Sequence, residues 1–124
     1  MQRILVVDDD RLVADTLTLI FAKSGFDARS AYSADEALEF ARTFIPDLLL
    51  CDISMPGRDG LALVCDITRE LPSCRIIVLT GFYSNLKGVR EQSDKLARPV
   101  SILTKPCQPS DLLREAASVL AAAS

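Results

Sequence analysis

Apolar and polar positions along this chain follow two alternating periods. Arg3–Val7 is a short β-rich run, RILVV. Behind it Leu12, Val13, Thr16, Leu17 and Ile20 take the spacing of one helix face, which should end at Gly25. Residues 26–32, FDARSAY, alternate as a strand does. Ser33 with Glu36 three positions on reads as a capping box, opening a helix that turns Ala34, Ala37, Leu38 and Ala41 inward and stops before Pro46. Residues 47–51, DLLLC, form a continuous apolar run, as expected of a strand covered on both faces. The turn DISMPGRDG leads into a helix with Leu61, Val64, Cys65, Ile67 and Thr68 along one side. Residues 75–79, RIIVL, are a second fully apolar strand, and residues 83–96 are more polar and loosely helical. Residues 100–103, VSIL, make a fifth strand. A strong closing helix, capped by Ser110 or Asp111, completes the chain. Five strands, each followed by a helix, call for a three-layer α/β fold: a doubly wound (βα)5 parallel sheet. No linker or repeat interrupts it, so residues 1–124 are expected to form one domain.

Composition narrows the function classes. The net charge is −3 and no block of Lys or Arg occurs, so nucleic-acid binding by this domain alone is not expected. Charged or polar residues interrupt every apolar run before it reaches membrane-spanning length. The opening MQRILVVDDD turns acidic where a secretory leader would still be apolar. Cys51, Cys65, Cys74 and Cys107 match no zinc spacing, and histidine is absent. They read as reduced, mostly buried small hydrophobes, which fits a cytoplasmic setting.

The chemistry lies where the strands end. In a parallel sheet all the C-terminal strand ends share one edge, and ligands collect there at the topological switch point. The first strand delivers Asp8 and Asp9 to that edge, the third Asp52, the fourth Thr80 and the fifth Lys105. Carboxylates roughly 4–5 Å apart repel by about 3–4 kcal/mol per pair at an effective dielectric near 20. One lysine cannot neutralise three of them, so either protons or a cation must sit in the cluster. Hard oxygen ligands without imidazole favour Mg²⁺, which commonly shares its coordination with a phosphoryl group. Thr80 and Lys105 are suitable donors to phosphoryl oxygens, and an Asp carboxylate can itself attack phosphorus. The pattern suggests Mg²⁺-assisted phosphoryl transfer to an aspartate.

ILVVDDD, LLLCDISMPGRDG, IIVLTG and ILTKP, in that order and at these separations, resemble the receiver domain of two-component response regulators. The resemblance covers essentially the whole chain. It implies strand order 2-1-3-4-5 and a phosphoryl group taken from the phosphohistidine of a sensor histidine kinase or phosphotransfer protein. Asp52 would be the phosphoacceptor. Asp9 would bind Mg²⁺ directly, Asp8 through water and Ser54 through its backbone carbonyl, while Thr80 and Lys105 would contact phosphoryl oxygens. The Lys105–Pro106 bond is a candidate for the cis form. The expected output is a changed surface formed by the fourth helix, fifth strand and closing helix, read by a downstream effector protein or fused effector domain. The domain is then a switch rather than an enzyme, and a homodimer of the phosphorylated form stays open.

Asp10 falls one position beyond the family's acidic pair and is expected in the first turn of the helix, where a carboxylate suits the dipole. Met55, Pro56, Gly57 and Gly60 should shape the loop, with both glycines supplying backbone angles that other residues resist. The segment before Lys105 departs from the family. It reads LARPVSILTKP, with no Gly-Ala pair and with Ile102 where receivers place an aromatic. Either Phe82 or Tyr83 substitutes, or Ile102 packs one way regardless of phosphorylation. Phe82, two residues after Thr80, could shield an acyl phosphate and lengthen its life; the small Ser54 could not. Two rivals remain. One is a receiver-like interaction module that is never phosphorylated. The other is a dehalogenase-type phosphotransferase with Asp8 as nucleophile and Asp10 as acid/base, although Leu12 and the short chain fit it poorly.

Overall fold

The computed structural model describes residues 1–53, 60–80, 100–104 and 107–121. The strands are β1 (Arg3–Val7), β2 (Asp27–Ala31), β3 (Leu48–Asp52), β4 (Arg75–Thr80) and β5 (Ser101–Thr104). The described helices are α1 (Arg11–Lys23), α2 (Ala34–Phe44), α3 (Gly60–Glu70) and α4 (Pro109–Ala121). All strand pairs are parallel, in order β2-β1-β3-β4-β5. The α/β class and doubly wound sheet read from the sequence are therefore observed. The stretch 83–96, expected to be loosely helical, lies outside the described residues, as do Ser54, Gly57, Phe82, Tyr83, Lys105 and Pro106.

Strand pleating divides the core in two. Leu5, Val7, Leu49, Cys51, Ile76 and Val78 face Ala34, Ala37 and Ala41 of α2 and Leu63, Val64 and Ile67 of α3. The alternate residues Ile4, Val6, Leu48, Leu50, Ile77 and Leu79 face Ala14 and Phe21 of α1 and Leu112, Ala116 and Leu120 of α4. This two-sided burial explains why β1, β3 and β4 are continuously apolar while the edge strand β2 is not.

Several local expectations shift. The buried stripe of α1 is Ala14 and Phe21 with half-buried Leu17, whereas Leu12 is 76% exposed and Thr16 faces water. Leu12 is the second residue of the helix, ahead of its first buried position, Ala14, so it matched the period without reaching the core. Leu63, absent from the expected face of α3, is fully buried, while Leu61, Cys65 and Thr68 are half-buried. The closing helix starts at Pro109, whose missing N–H costs nothing at a first helical position, so Ser110 and Asp111 lie inside its first turn. The end of α1 closes as a Schellman motif. Phe26 N–H donates to Phe21 O and Gly25 N–H to Ala22 O, Gly25 takes φ +99°, and the two phenyl rings meet edge-on at 5.9 Å.

Candidate functional site at the carboxyl edge of the sheet

Because β1 and β3 are neighbours whose following helices α1 and α3 cover opposite faces, the crevice of this sheet opens between their carboxyl ends. Asp8 and Asp9 follow β1 and Asp52 ends β3. One carboxylate oxygen from each of the three lies within 4.8 Å of the others. Asp8 is 2% exposed, Asp52 5% and Thr80 0%; these are the three buried polar side chains among the described residues, and all sit at this edge. Asp9 is exposed beside them. Burying two carboxylates that close together costs on the order of 3 kcal/mol in mutual repulsion alone, before any desolvation. A packed core has no reason to tolerate that grouping, whereas a hard divalent cation with oxygen ligands has. The residues present therefore fit Mg²⁺.

Each member is held by the strand system. Asp8 N–H donates to Ala31 O at 3.2 Å, extending the β1–β2 pairing, and its Oδ1 accepts from Asp10 N–H at 2.9 Å. Asp52 stands opposite Leu79, and Ile53 N–H donates to Leu79 O at 3.1 Å, carrying the β3–β4 pairing one residue past the acid. Thr80 pairs with Thr104, the residue immediately before Lys105. Lys105 and Ser54, the remaining expected site residues, fall outside the described set. Ile102 pairs with Val78 and is half-buried against the cluster on the α2–α3 face.

Two roles differ from expectation. Asp10 is the N-cap of α1, not a first-turn residue: its carboxylate accepts from Leu12 N–H at 3.0 Å and Val13 N–H at 3.3 Å. Gly60 is required by space, not by a left-handed backbone. A Cβ there would stand 2.5 Å from Ile53 Cα, 2.9 Å from Asp52 O and 3.2 Å from Cys51 Sγ. The helix start is thus pressed onto the strand end that carries Asp52, and the Cys51 thiol donates to the same Asp52 carbonyl at 3.5 Å. No spacing in the sequence signals that contact, since it joins a loop's two ends in space.

Residues 4–117 match the response regulator receiver domain family. The chain belongs to that family. The receiver is similar to a CheY-like response regulator receiver domain protein from Methanospirillum hungatei JF-1, at 28% identity and TM-score 0.90 over 99% of this chain and 96% of that one. It is also similar to NtrX from Brucella abortus, solved in complex with ATP, at 29% identity and TM-score 0.85; 98% of this chain matches 27% of that longer one. A third similar structure is the two-component transcriptional regulator AraC from Clostridium phytofermentans ISDg, at 27% identity and TM-score 0.79, covering 98% and 93% of the two chains. Family membership removes the dehalogenase-type reading, and so does the geometry: the Asp10 carboxylate that would serve as acid/base caps α1 instead.

Proposed function

We propose that this receiver accepts a phosphoryl group on Asp52 from the phosphohistidine of a sensor histidine kinase or a phosphotransfer protein. A carboxylate oxygen of Asp52 forms the new bond to phosphorus as the phosphorus–nitrogen bond breaks, and that electron pair returns to the donor imidazole. Asp8, Asp9 and Asp52, with the Ser54 carbonyl, would hold Mg²⁺, which supplies positive charge against both the carboxylates and the phosphoryl oxygens. Asp52 enters from the last position of a fully buried strand, so its approach to phosphorus is fixed by the sheet. The Thr80 hydroxyl and the Lys105 ammonium are the donors assigned to the phosphoryl oxygens.

The added charge of about −1.5 to −2 biases the chain around those donors between two arrangements. The result is a switch rather than a metabolic enzyme, presented on the side of β5 and α4. Its reader would be a separate effector protein or a fused effector domain, with transcription control as one such output. Four free thiols and the lack, among the described residues, of any helix long and apolar enough to cross a membrane support a cytoplasmic setting. The observation that carries this reading is the convergence of Asp8, Asp52 and Thr80 as the buried polar side chains among the described residues.

Phosphoramidate, whose phosphorus–nitrogen bond mimics phosphohistidine, tests it. One phosphoryl group should be gained in the presence of Mg²⁺, none in the presence of a chelator and none by Asp52→Asn. Equal labelling of the mutant would transfer the acceptor role elsewhere, and no labelling of the wild type would favour an unphosphorylated interaction module.

A further inference from the structure

The third acid of the DDD run has no place in the acidic pair, yet residue 10 is tied into the structure from three directions. Its side chain caps α1 through Leu12 N–H and Val13 N–H. Its carbonyl accepts the first intrahelical bond, from Ala14 N–H at 2.9 Å. Its own N–H donates to Asp8 Oδ1 at 2.9 Å. Ala14, which donates that first bond, is fully buried, so the α1 end of this chain of contacts is anchored in the core. Residue 10 itself is held extended, at φ −81° and ψ 106°, and this conformation aims its N–H back at the carboxylate two residues earlier. Asp9 stands at the apex of the tight turn so formed.

We infer that Asp10 is a positioning residue for the cation site: by capping α1 it fixes the turn that orients the Asp8 carboxylate and presents Asp9. The inference rests on the Mg²⁺ reading above. It assigns the effect to the capping acceptor at position 10 and not to the charge, because Asp10 is exposed and a solvated charge contributes little. Any residue at position 10 except proline keeps the N–H; what an alanine lacks is the cap that aims it.

Mg²⁺ affinity, measured by isothermal titration on the unphosphorylated protein, separates these roles. Asp10→Asn and Asp10→Ser keep a side-chain oxygen acceptor without the charge; Asp10→Ala removes both. Affinity should fall about fivefold in Asp10→Ala, the ratio that a typical loss of cap stability corresponds to when all of it is felt at the cation site, and stay near the wild-type value in Asp10→Asn and Asp10→Ser. The backbone amide resonance of residue 10 should move upfield in Asp10→Ala as its bond to Asp8 loosens. Equal loss in Asp10→Asn and Asp10→Ala would make the charge responsible and overturn the inference. Unchanged affinity in Asp10→Ala, despite a lower melting temperature, would overturn it too by reducing Asp10 to an ordinary cap. A wild type that binds Mg²⁺ no better than Asp9→Asn would instead remove the cation site itself, and this inference with it.

Discussion

Gly60 shows how one absent methyl group lets a helix start press against the strand end that carries Asp52. Its missing Cβ leaves room for the Ile53 backbone and the Asp52 carbonyl, so Gly60→Ala must push α3 away from the strand end. The expected cost is on the order of 1–3 kcal/mol in urea unfolding. Labelling of Asp52 should slow as well, since the displaced atoms belong to the backbone of Asp52 and Ile53. At the opposite end of β4, burial and the nearby Asp47 charge push the Cys74 thiol up to about 12 from 9.0. The folded protein therefore keeps a proton that the unfolded chain loses above about pH 9. The contribution of Cys74 to stability is complete below that pH and drains away as pH rises toward about 12. Urea midpoints should fall less steeply in alkali for Cys74→Ala than for the wild type, and native Cys74 should resist alkylation near neutral pH.

At the scale of elements, α2 carries both a well-made start and a strained finish. Ser33 Oγ accepts from Glu36 N–H at 3.1 Å, and the Glu36 carboxylate accepts from Tyr32 N–H at 3.3 Å, one residue before the site a simple capping box would use. Ser33→Ala should cost about 1 kcal/mol. The helix ends with Ile45 at φ +51°, a left-handed position that a β-branched residue occupies at a cost of roughly 1–2 kcal/mol. Ile45 is 53% exposed, so little packing would be lost on replacing it. Ile45→Asn should raise stability by about 1 kcal/mol in denaturant unfolding, and a loss of stability would show that its packing outweighs its backbone strain. Arg42 reaches across to Glu70 on α3 with bonds of 2.9 and 3.2 Å, and this pairing draws the Glu70 carboxyl below its usual range. Both side chains are solvated, so high salt should erase most of what the pair contributes.

Across the whole molecule, what the sequence made legible and what it hid have separate physical origins. Strand identity and order could be read because β1, β3 and β4 are buried on both faces and must be apolar throughout, and because motifs at their ends matched one family. The acidic edge was legible for the same reason: Asp8, Asp9, Asp52 and Thr80 stand at the ends of such strands. Helix faces were read less well. Leu12 matched the helical period but faces water from the first turn, while Leu63 belongs to a stripe one position away from the one the period favoured. The roles of Asp10 and Gly60 were misread because each depends on contacts between separate pieces of backbone, which neither propensity nor spacing encodes. What the fold achieves is to bring two buried acids and a buried hydroxyl to one edge of a sheet whose buried positions are otherwise apolar, at an electrostatic cost that the proposed phosphoacceptor site would explain.

Intact-mass spectrometry of the protein with Mg²⁺ and acetyl phosphate, wild type beside Asp52→Asn, tests that explanation most directly. A single phosphoryl adduct that requires Mg²⁺ and is lost in the mutant is the outcome this account predicts. An adduct that persists without the Asp52 carboxylate, or none at all on a folded wild type, would contradict it.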